Sequence, residues 1–454
     1  MTAPDATSPA ATSAPATTWR DGLAVYLQPR VLIVLFLGFS SGLPLALSGS
    51  TLLVWMREAG VDLKTIGLFA LVGTPYTLKF LWAPLVDALH VPLFTRAFGR
   101  RRGWLLFSQL LLIVAILLLA MTDPARSPFY VALGALLVAT MSSTQDIVVD
   151  AFRVESLPES EQAAGMAAYV AAYRIGMLVS TAGALFIVSG FESTGITRTS
   201  AWMWGYVVMA AMVLIGTITA LAATEPGQSV LAEAATKTET AFARVLRAAV
   251  GAFSEFLSRK DAAAALAFVV LFKFTDAFSG TMTAPFVIDL GFSRNDYAAI
   301  VKGVGLAATL IGGFAGGFLA RRYPLATSLW IGGVVQALAN LTFSWLAVVG
   351  TNQWALALAI CAENFTSAIG TVIFVAYLSA LCQNPLHTAT QYALLTALAA
   401  VGRTYLSSSA GFVADTTGWP LFFVICVLVA IPSLVLLTYL QRRGHFEALG
   451  PVRV

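Results

Sequence analysis

Twelve apolar stretches, each near the roughly 20 residues a helix needs to cross a hydrocarbon layer, run through almost the whole of this sequence. Their limits are 31–56, 64–88, 104–121, 128–152, 163–189 and 201–222, then 263–289, 296–320, 325–349, 353–380, 387–411 and 419–440. One aqueous core cannot enclose that much apolar surface. Composition agrees: 58% of the 454 residues are hydrophobic and 11% charged, where a soluble domain carries roughly 25% charged. A water-soluble enzyme is thereby excluded. An all-α membrane protein with twelve transmembrane helices in two six-helix halves is expected.

Basic residues are retained on the cytoplasmic side during insertion, so their distribution sets the orientation. Of the 27 Lys and Arg, five (Arg57, Lys64, Arg126, Arg198, Arg294) fall on one side. Five more (Lys79, Arg174, Lys273, Lys302, Arg403) fall within spans, and the other seventeen lie on the opposite side. That asymmetry places both termini and the long central connection in the cytoplasm. It also accounts for the net charge of +4 without nucleic acid as a partner. Residues 1–18, almost all Ala, Thr, Ser and Pro, read as a disordered tail without signal-peptide character. The halves are 19–222 and 263–440. They are joined by a polar linker, 223–262, in which Arg244, Arg247 and Phe253 suggest an amphipathic surface helix, and 441–454 form a cytoplasmic tail. Cys361, Cys382 and Cys426 sit in apolar segments without metal-ligand spacing and are expected to serve packing.

The halves echo each other. Arg174 and Arg403 each sit mid-span, with Gln162 and Gln391 twelve residues before and Ser180 and Ser409 six residues after. Gly60 and Gly291 each follow the first span of a half. A weak parallel repeat of this length is what a transporter built from two six-helix halves presents.

Ionisable side chains inside a span are costly and mark polar pathways. Asp146, Asp150 and Arg153 share one face of the fourth span by their spacing, with Gln145 beside them. Two neighbouring carboxylates can accept and release a coupling proton, which makes Asp146 and Asp150 candidates for that role. The alternative for Asp150 and Arg153 is a loop-side salt bridge. Arg174 with Tyr173, and Arg403, place planar charged forks suited to carboxylates in equivalent helices; an interhelical ion pair with Asp146 or Glu363 is the competing reading. Lys273 and Asp276 are close enough in sequence to neutralise each other. Tyr76, Lys79, Asn364 and Gln391 complete the substrate-binding candidates, and Asp276 and Glu363 the proton-coupling ones. No phosphate-binding loop, zinc-protease motif or nucleophile elbow occurs, and His90, His387 and His445 map to cytoplasmic edges. No catalytic residue, metal or cofactor is expected, and a membrane-embedded enzyme or lipid flippase is the weaker class.

Several stretches carry a family resemblance: Ser41-Gly42-Leu43-Pro44-Leu45, Asp62-Leu63-Lys64-Thr65-Ile66-Gly67, Lys79-Phe80-Leu81-Trp82-Ala83-Pro84, Gln145-Asp146-Ile147, Tyr173-Arg174-Ile175-Gly176, Glu363-Asn364 and Gln391-Tyr392-Ala393 to Arg403. Together, over roughly residues 30–440, the chain resembles AmpG-type muropeptide permeases of the major facilitator superfamily. The resemblance implies an inner-membrane importer of N-acetylglucosaminyl-1,6-anhydro-N-acetylmuramic acid, with or without stem peptide, driven by proton symport. An importer of another sugar, peptide or siderophore is the alternative. It also implies that Asp146 and Asp150 match the family's fourth-helix acidic motif, and that Gly42 permits close contact or unwinding of the first helix. Asp87 with Arg100, Arg101 and Arg102 resembles the superfamily's gating loop, for which simple anchoring of the positive side is the alternative. Protons, the muropeptide and the bilayer are the implied partners of a monomeric chain.

Overall fold

The computed structural model describes residues 24–226, 260–381 and 388–449, and every regular element among them is helical. The tail 1–18, the amphipathic stretch around Arg244, Cys382 and His387 lie outside the described residues. The first half contains α1 (Pro29–Glu58), α2 (short pieces Leu63–Leu68, Phe69–Gly73, Thr74–Leu78, Lys79–Leu81 and Ala83–Ala88), α3 (Arg100–Ala120) and α4 (Pro128–Ser156). It continues with α5 (Glu159–Leu178, a π-helical turn Val179–Gly183, then Ala184–Ser193) and α6 (Arg198–Ala222). In the second half, α7 (Ala262–Asp289) is followed by α8 (Arg294–Asp296, a π-helical turn Tyr297–Val304, then Gly305–Arg322). Then come α9 (Leu325–Val349), α10 (Gln353–Leu381), α11 (Thr388–Tyr405, Leu406–Ser409, Ala410–Thr417) and α12 (Trp419–Arg442).

Among the described residues, ten helices are long and apolar enough to cross a bilayer. The remaining two expected spans, 64–88 and 387–411, are present as the interrupted runs α2 and α11. Their sequences explain the breaks. Pro75 and Pro84, near the starts of two of the α2 pieces, supply no backbone N–H to the turn before them. The serines at 407–409 of α11 instead turn their hydroxyls back onto carbonyls of their own helix, at Arg403, Tyr405 and Leu406. Broken helix is tolerated at membrane depth where it is enclosed by protein or lines a cavity. Here α2 and α11 lie against each other across the two halves. Gly67 and Gly411 meet backbone to backbone, and the hydroxyls of Thr77 and Thr404 are 3.2 Å apart.

The internal repeat has a structural counterpart. Gly60 (φ 82°) and Gly291 (φ 90°) both end a first helix in the left-handed region that favours glycine. In each case the following N–H reaches back to a carbonyl five residues earlier, Val61 to Met56 at 3.0 Å and Phe292 to Val287 at 3.3 Å. The next helix in each half then starts on a side-chain cap, Asp62 to the Thr65 N–H and Ser293 to that of Asp296. The hydrogen bonds from Thr65 hold the Asp62 carboxyl below the usual carboxylate range.

The halves are locked together on the face opposite the termini. Arg57 pairs with Asp289, and Lys64 with Asp415 at 3.2 Å. Arg294 is bracketed by Glu58 and Glu192, each at 2.5 Å, and its guanidinium stands 5.7 Å from the ring centre of Trp202. Trp202 itself stacks on Trp55 at 5.6 Å and donates to Glu58 at 3.1 Å. All of these acid–base pairs join one half to the other. Toward the termini face, by contrast, the Asp150 side chain is 48% exposed, and Arg174 and Arg403 are exposed. The side chains on the termini side are thus less enclosed than those of the locked face.

Candidate functional site

The cavity wall of the first half is built on a close contact between α1 and α5. A Cβ on Gly42 would stand 2.1 Å from the carbonyl oxygen of Tyr173, and one on Gly176 2.3 Å from that of Phe39. Only small residues allow backbones so near. Replacing Gly42 with Val must push the helices apart, and overpacking of this kind costs roughly 1–3 kcal/mol. The Gly42→Val protein should melt several degrees lower in detergent; an unchanged midpoint would contradict the contact.

That approach carries Ser41 to α4, where its hydroxyl donates to the buried carboxylate of Asp146. The charges acting on Asp146 are Lys79 of α2 and Asp150, one turn along α4. Asp150 in turn meets Arg153 at 3.9 Å, the loop-side pairing that the spacing allowed. Tyr169 and Tyr173 stand with ring centres 5.9 Å apart. Tyr173 lies within electrostatic reach of Asp146, Arg174, Arg403 and Asp150, so charges from both halves act on it. Among the described residues neither arginine pairs with Asp146 or Glu363. The Tyr76 hydroxyl is buried in the same neighbourhood.

In the second half, Lys273 and Asp276 form the expected pair at 2.8 Å. Asp276 also accepts from Ser367 at 2.7 Å, and the Lys273 ammonium donates to Thr371 at 3.0 Å. Glu363 takes the Asn364 amide at 2.8 Å, and Thr309 of α8 donates to the Asn364 carbonyl oxygen at 3.2 Å. The charges acting on Glu363 are Asp276, Lys273 and Lys302.

Other candidates stand apart. Gln145 is fully enclosed, and neither atom of its amide has a hydrogen-bond partner. The side chains of Asp87 and Gln391 lie outside the described residues. The arginine cluster sits at the termini face, where it meets the end of α4, the end of α6 and the start of the linker. Arg101 reaches Glu155 at 2.5 Å, Arg100 reaches the same carboxylate at 3.5 Å, and Arg102 donates to the carbonyls of Ala220 and Leu221 at 3.0 and 2.7 Å. The backbone N–H groups of Arg101 and Arg102 are capped by Glu225 at 2.8 and 3.0 Å. His445, at the end of the chain, is half-buried rather than solvated. Its ring nitrogen is 3.1 Å from the Tyr377 hydroxyl, and burial holds its basicity below that of an ordinary histidine.

Sequence reading missed Ser41, Ser367 and Thr371 as partners of the buried charges, because hydroxyls are common in membrane helices and these lie on other spans. It also counted Arg57 and Arg294 only as loop charges, although a basic residue at the end of a span on the base-poor side was a signal. Among the described residues no three His, Cys, Asp or Glu side chains group as a metal site.

Once local pairs are set aside, the ionisable side chains within the spans carry more positive than negative charge. Lys79, Arg174, Lys302 and Arg403 have no ion-pair partner among the described residues, while the carboxylates left without a basic partner are Asp146 and Glu363. In a low-dielectric cleft such an excess attracts an anionic guest.

The sequence matches the Major Facilitator Superfamily over residues 34–407. It is 39% identical to the anhydromuropeptide permease of Escherichia coli (strain K12) over 429 residues, 94% of this chain and 83% of that one. A putative transporter AmpG 4 of Rickettsia felis is 33% identical over 92% of this chain and 98% of its own length. Among solved structures, the nucleoside transporter NupG superposes with a TM-score of 0.67 at 13% identity, covering 92% of this chain and 98% of the other. At that identity the likeness concerns the fold alone.

Proposed function

The chain belongs to the Major Facilitator Superfamily and, within it, to the AmpG-type permeases, and from that premise we propose that it imports anhydromuropeptides by proton symport. The substrate is N-acetylglucosaminyl-1,6-anhydro-N-acetylmuramic acid, with or without its stem peptide, moved from the periplasm to the cytoplasm of a bacterium across the inner membrane. Both termini face the cytoplasm, so the less enclosed side described above faces inward. The observation that carries this reading is the excess of unpaired cations within the spans beside aromatic rings. Lactyl or peptide carboxylates answer the Arg and Lys side chains, and the tyrosine faces suit sugar rings. Asp146, with Asp150 one turn away, is the proton acceptor of the first half; Glu363 and Asp276 are its counterparts in the second. Arg174, Arg403, Lys79, Lys273, Tyr76, Tyr173 and Asn364 contact the substrate. One chain suffices for the cycle.

The two halves rock about the cavity, and coupling arises because proton and substrate favour the same state; a ligand binding both states equally would shift nothing. Proteoliposomes of the full chain, given labelled disaccharide with and without an inward proton gradient, test this. Accumulation above equilibrium is expected only with the gradient. No uptake by inserted, folded protein would overturn the substrate assignment, and uptake indifferent to the gradient would overturn the symport.

A further inference from the structure

One intramembrane cation is not explained by the roles assigned above. Lys302 sits in the π-helical turn Tyr297–Val304 of α8. A turn bonded from residue i to i+5 brings side chains five apart onto one side, and such turns are rare and frequent at functional sites. Here the pair brought together is Tyr297 and Lys302, with the ammonium 5.4 Å from the ring centre. Tyr297 is buried and Lys302 half-buried. The same side of α8 continues through Gly305, whose added Cβ would lie 3.3 Å from the Asn364 amide nitrogen, to Thr309, which holds Asn364 by a hydrogen bond of 3.2 Å. This surface of α8 therefore looks at the polar part of α10 that carries Glu363. Glu363 is held by Asn364, and among the described residues no carboxylate pairs with Lys302.

Depth separates this cation from the others. Lys302 lies eight residues inside α8 from Arg294 on the closed face, much of it π-helical, which puts it at most about 12 Å deep. Arg174 and Arg403 lie about 22 Å inside α5 and α11 from the termini face. A rigid guest several sugar rings or residues long can thus be held at two levels. The level nearer the closed face belongs to the second half.

We propose that Lys302 is a specificity-determining anchor for a carboxylate of the transported molecule, set over Tyr297 by the π-helical turn at the closed end of the cavity. This rests on the muropeptide reading and adds to it a named contact in the second half. An ammonium already half-withdrawn from water and steadied by an aromatic face, within electrostatic reach of Glu363 but not ion-paired to it, discriminates a charged oxygen pair from its neutral amide. The carboxylate comes either from the lactyl group of the free disaccharide or from the stem peptide.

The test is equilibrium binding to the full-length protein in lipid nanodiscs. Four ligands are compared in two pairs: the free disaccharide acid beside its lactyl methylamide, and the peptide-bearing form beside its carboxyl-blocked ester. Wild-type protein is expected to prefer charged over neutral partners by about tenfold to a hundredfold, the worth of one charge-assisted hydrogen bond. In Lys302→Gln that preference should collapse, and in Lys302→Arg it should largely survive. Collapse for the acid–methylamide pair assigns the lactyl carboxylate, and collapse only for the peptide pair assigns the stem peptide. A preference intact in both pairs overturns the proposal. Should Lys302→Gln not insert, Lys302→Met keeps an unbranched stem over Tyr297 and is read in the same way. Wild-type protein that binds none of the ligands refutes the muropeptide reading itself, a different outcome from binding that is indifferent to Lys302.

Discussion

Asp146→Asn protein in proteoliposomes is expected to equilibrate labelled disaccharide across the membrane and to stop concentrating it. Asn keeps the shape of Asp and an oxygen that can accept the Ser41 hydroxyl, so the wall formed by α1, α4 and α5 should stand. What the substitution removes is the ability to take up and release a proton. A gradient of one pH unit can drive roughly tenfold accumulation per coupled proton, and in the mutant that ratio should fall to about one. Substrate-for-substrate exchange, which needs no net proton movement, should continue. Accumulation at the wild-type level would show that another carboxylate carries the proton, Glu363 being the next to test because Asp276 is engaged by Lys273 at 2.8 Å. Loss of exchange together with accumulation would instead make Asp146 a binding group.

The second large effect is expected at the closed face. Arg294 is 7% exposed and lies between Glu58 and Glu192, both contributed by the other half. Removing one member of a buried ion pair leaves the rest uncompensated. In Arg294→Gln the two carboxylates of the first half lose their cation from across the seam, Glu192 keeping only Arg198 of its own half at 3.3 Å. We expect the state closed at this face to lose on the order of 2 kcal/mol relative to the state open there, about a thirtyfold change in their ratio. Electron–electron distance measurements between spin labels at positions 194 and 354, one on each half at that face, would read this as a longer-distance population absent from wild type. A distribution identical to wild type would mean that the lock rests on the Gly67–Gly411 contact and the aromatic stacking instead. Arg57 and Asp289 form a second latch beside the first, so Arg294→Gln combined with Arg57→Gln should open the seam further than either alone.

These two predictions draw on different kinds of information. The apolar runs foretold ten continuous spans to within a few residues, because helix length in a bilayer is fixed by hydrocarbon thickness and rise per residue. Gly60 and Gly291 were legible as a repeat, since a helix stop in the left-handed region is a local backbone demand. Lys273 and Asp276 were legible as a pair for the same reason: three residues apart on a helix, they are neighbours whatever the rest of the chain does. The breaks in α2 and α11 were less legible, because prolines and polar residues interrupt a helix only where surrounding protein or a cavity satisfies the freed backbone groups.

By itself, then, the sequence determined the membrane environment, the two-half organisation and the identity of the buried charges, all of which follow from composition, period and spacing over a few turns. Only the tertiary structure decided which charges are partnered. Asp146 meets Ser41 across 105 residues of chain, Arg294 meets Glu58 across 236, and Gln145, next in sequence to Asp146, is turned into the helix interface and enclosed. Adjacent residues on a helix point about 100° apart, so which of the two reaches the cavity depends on how neighbouring helices are rotated and how closely glycines let them approach. No pattern within a single span carries that information.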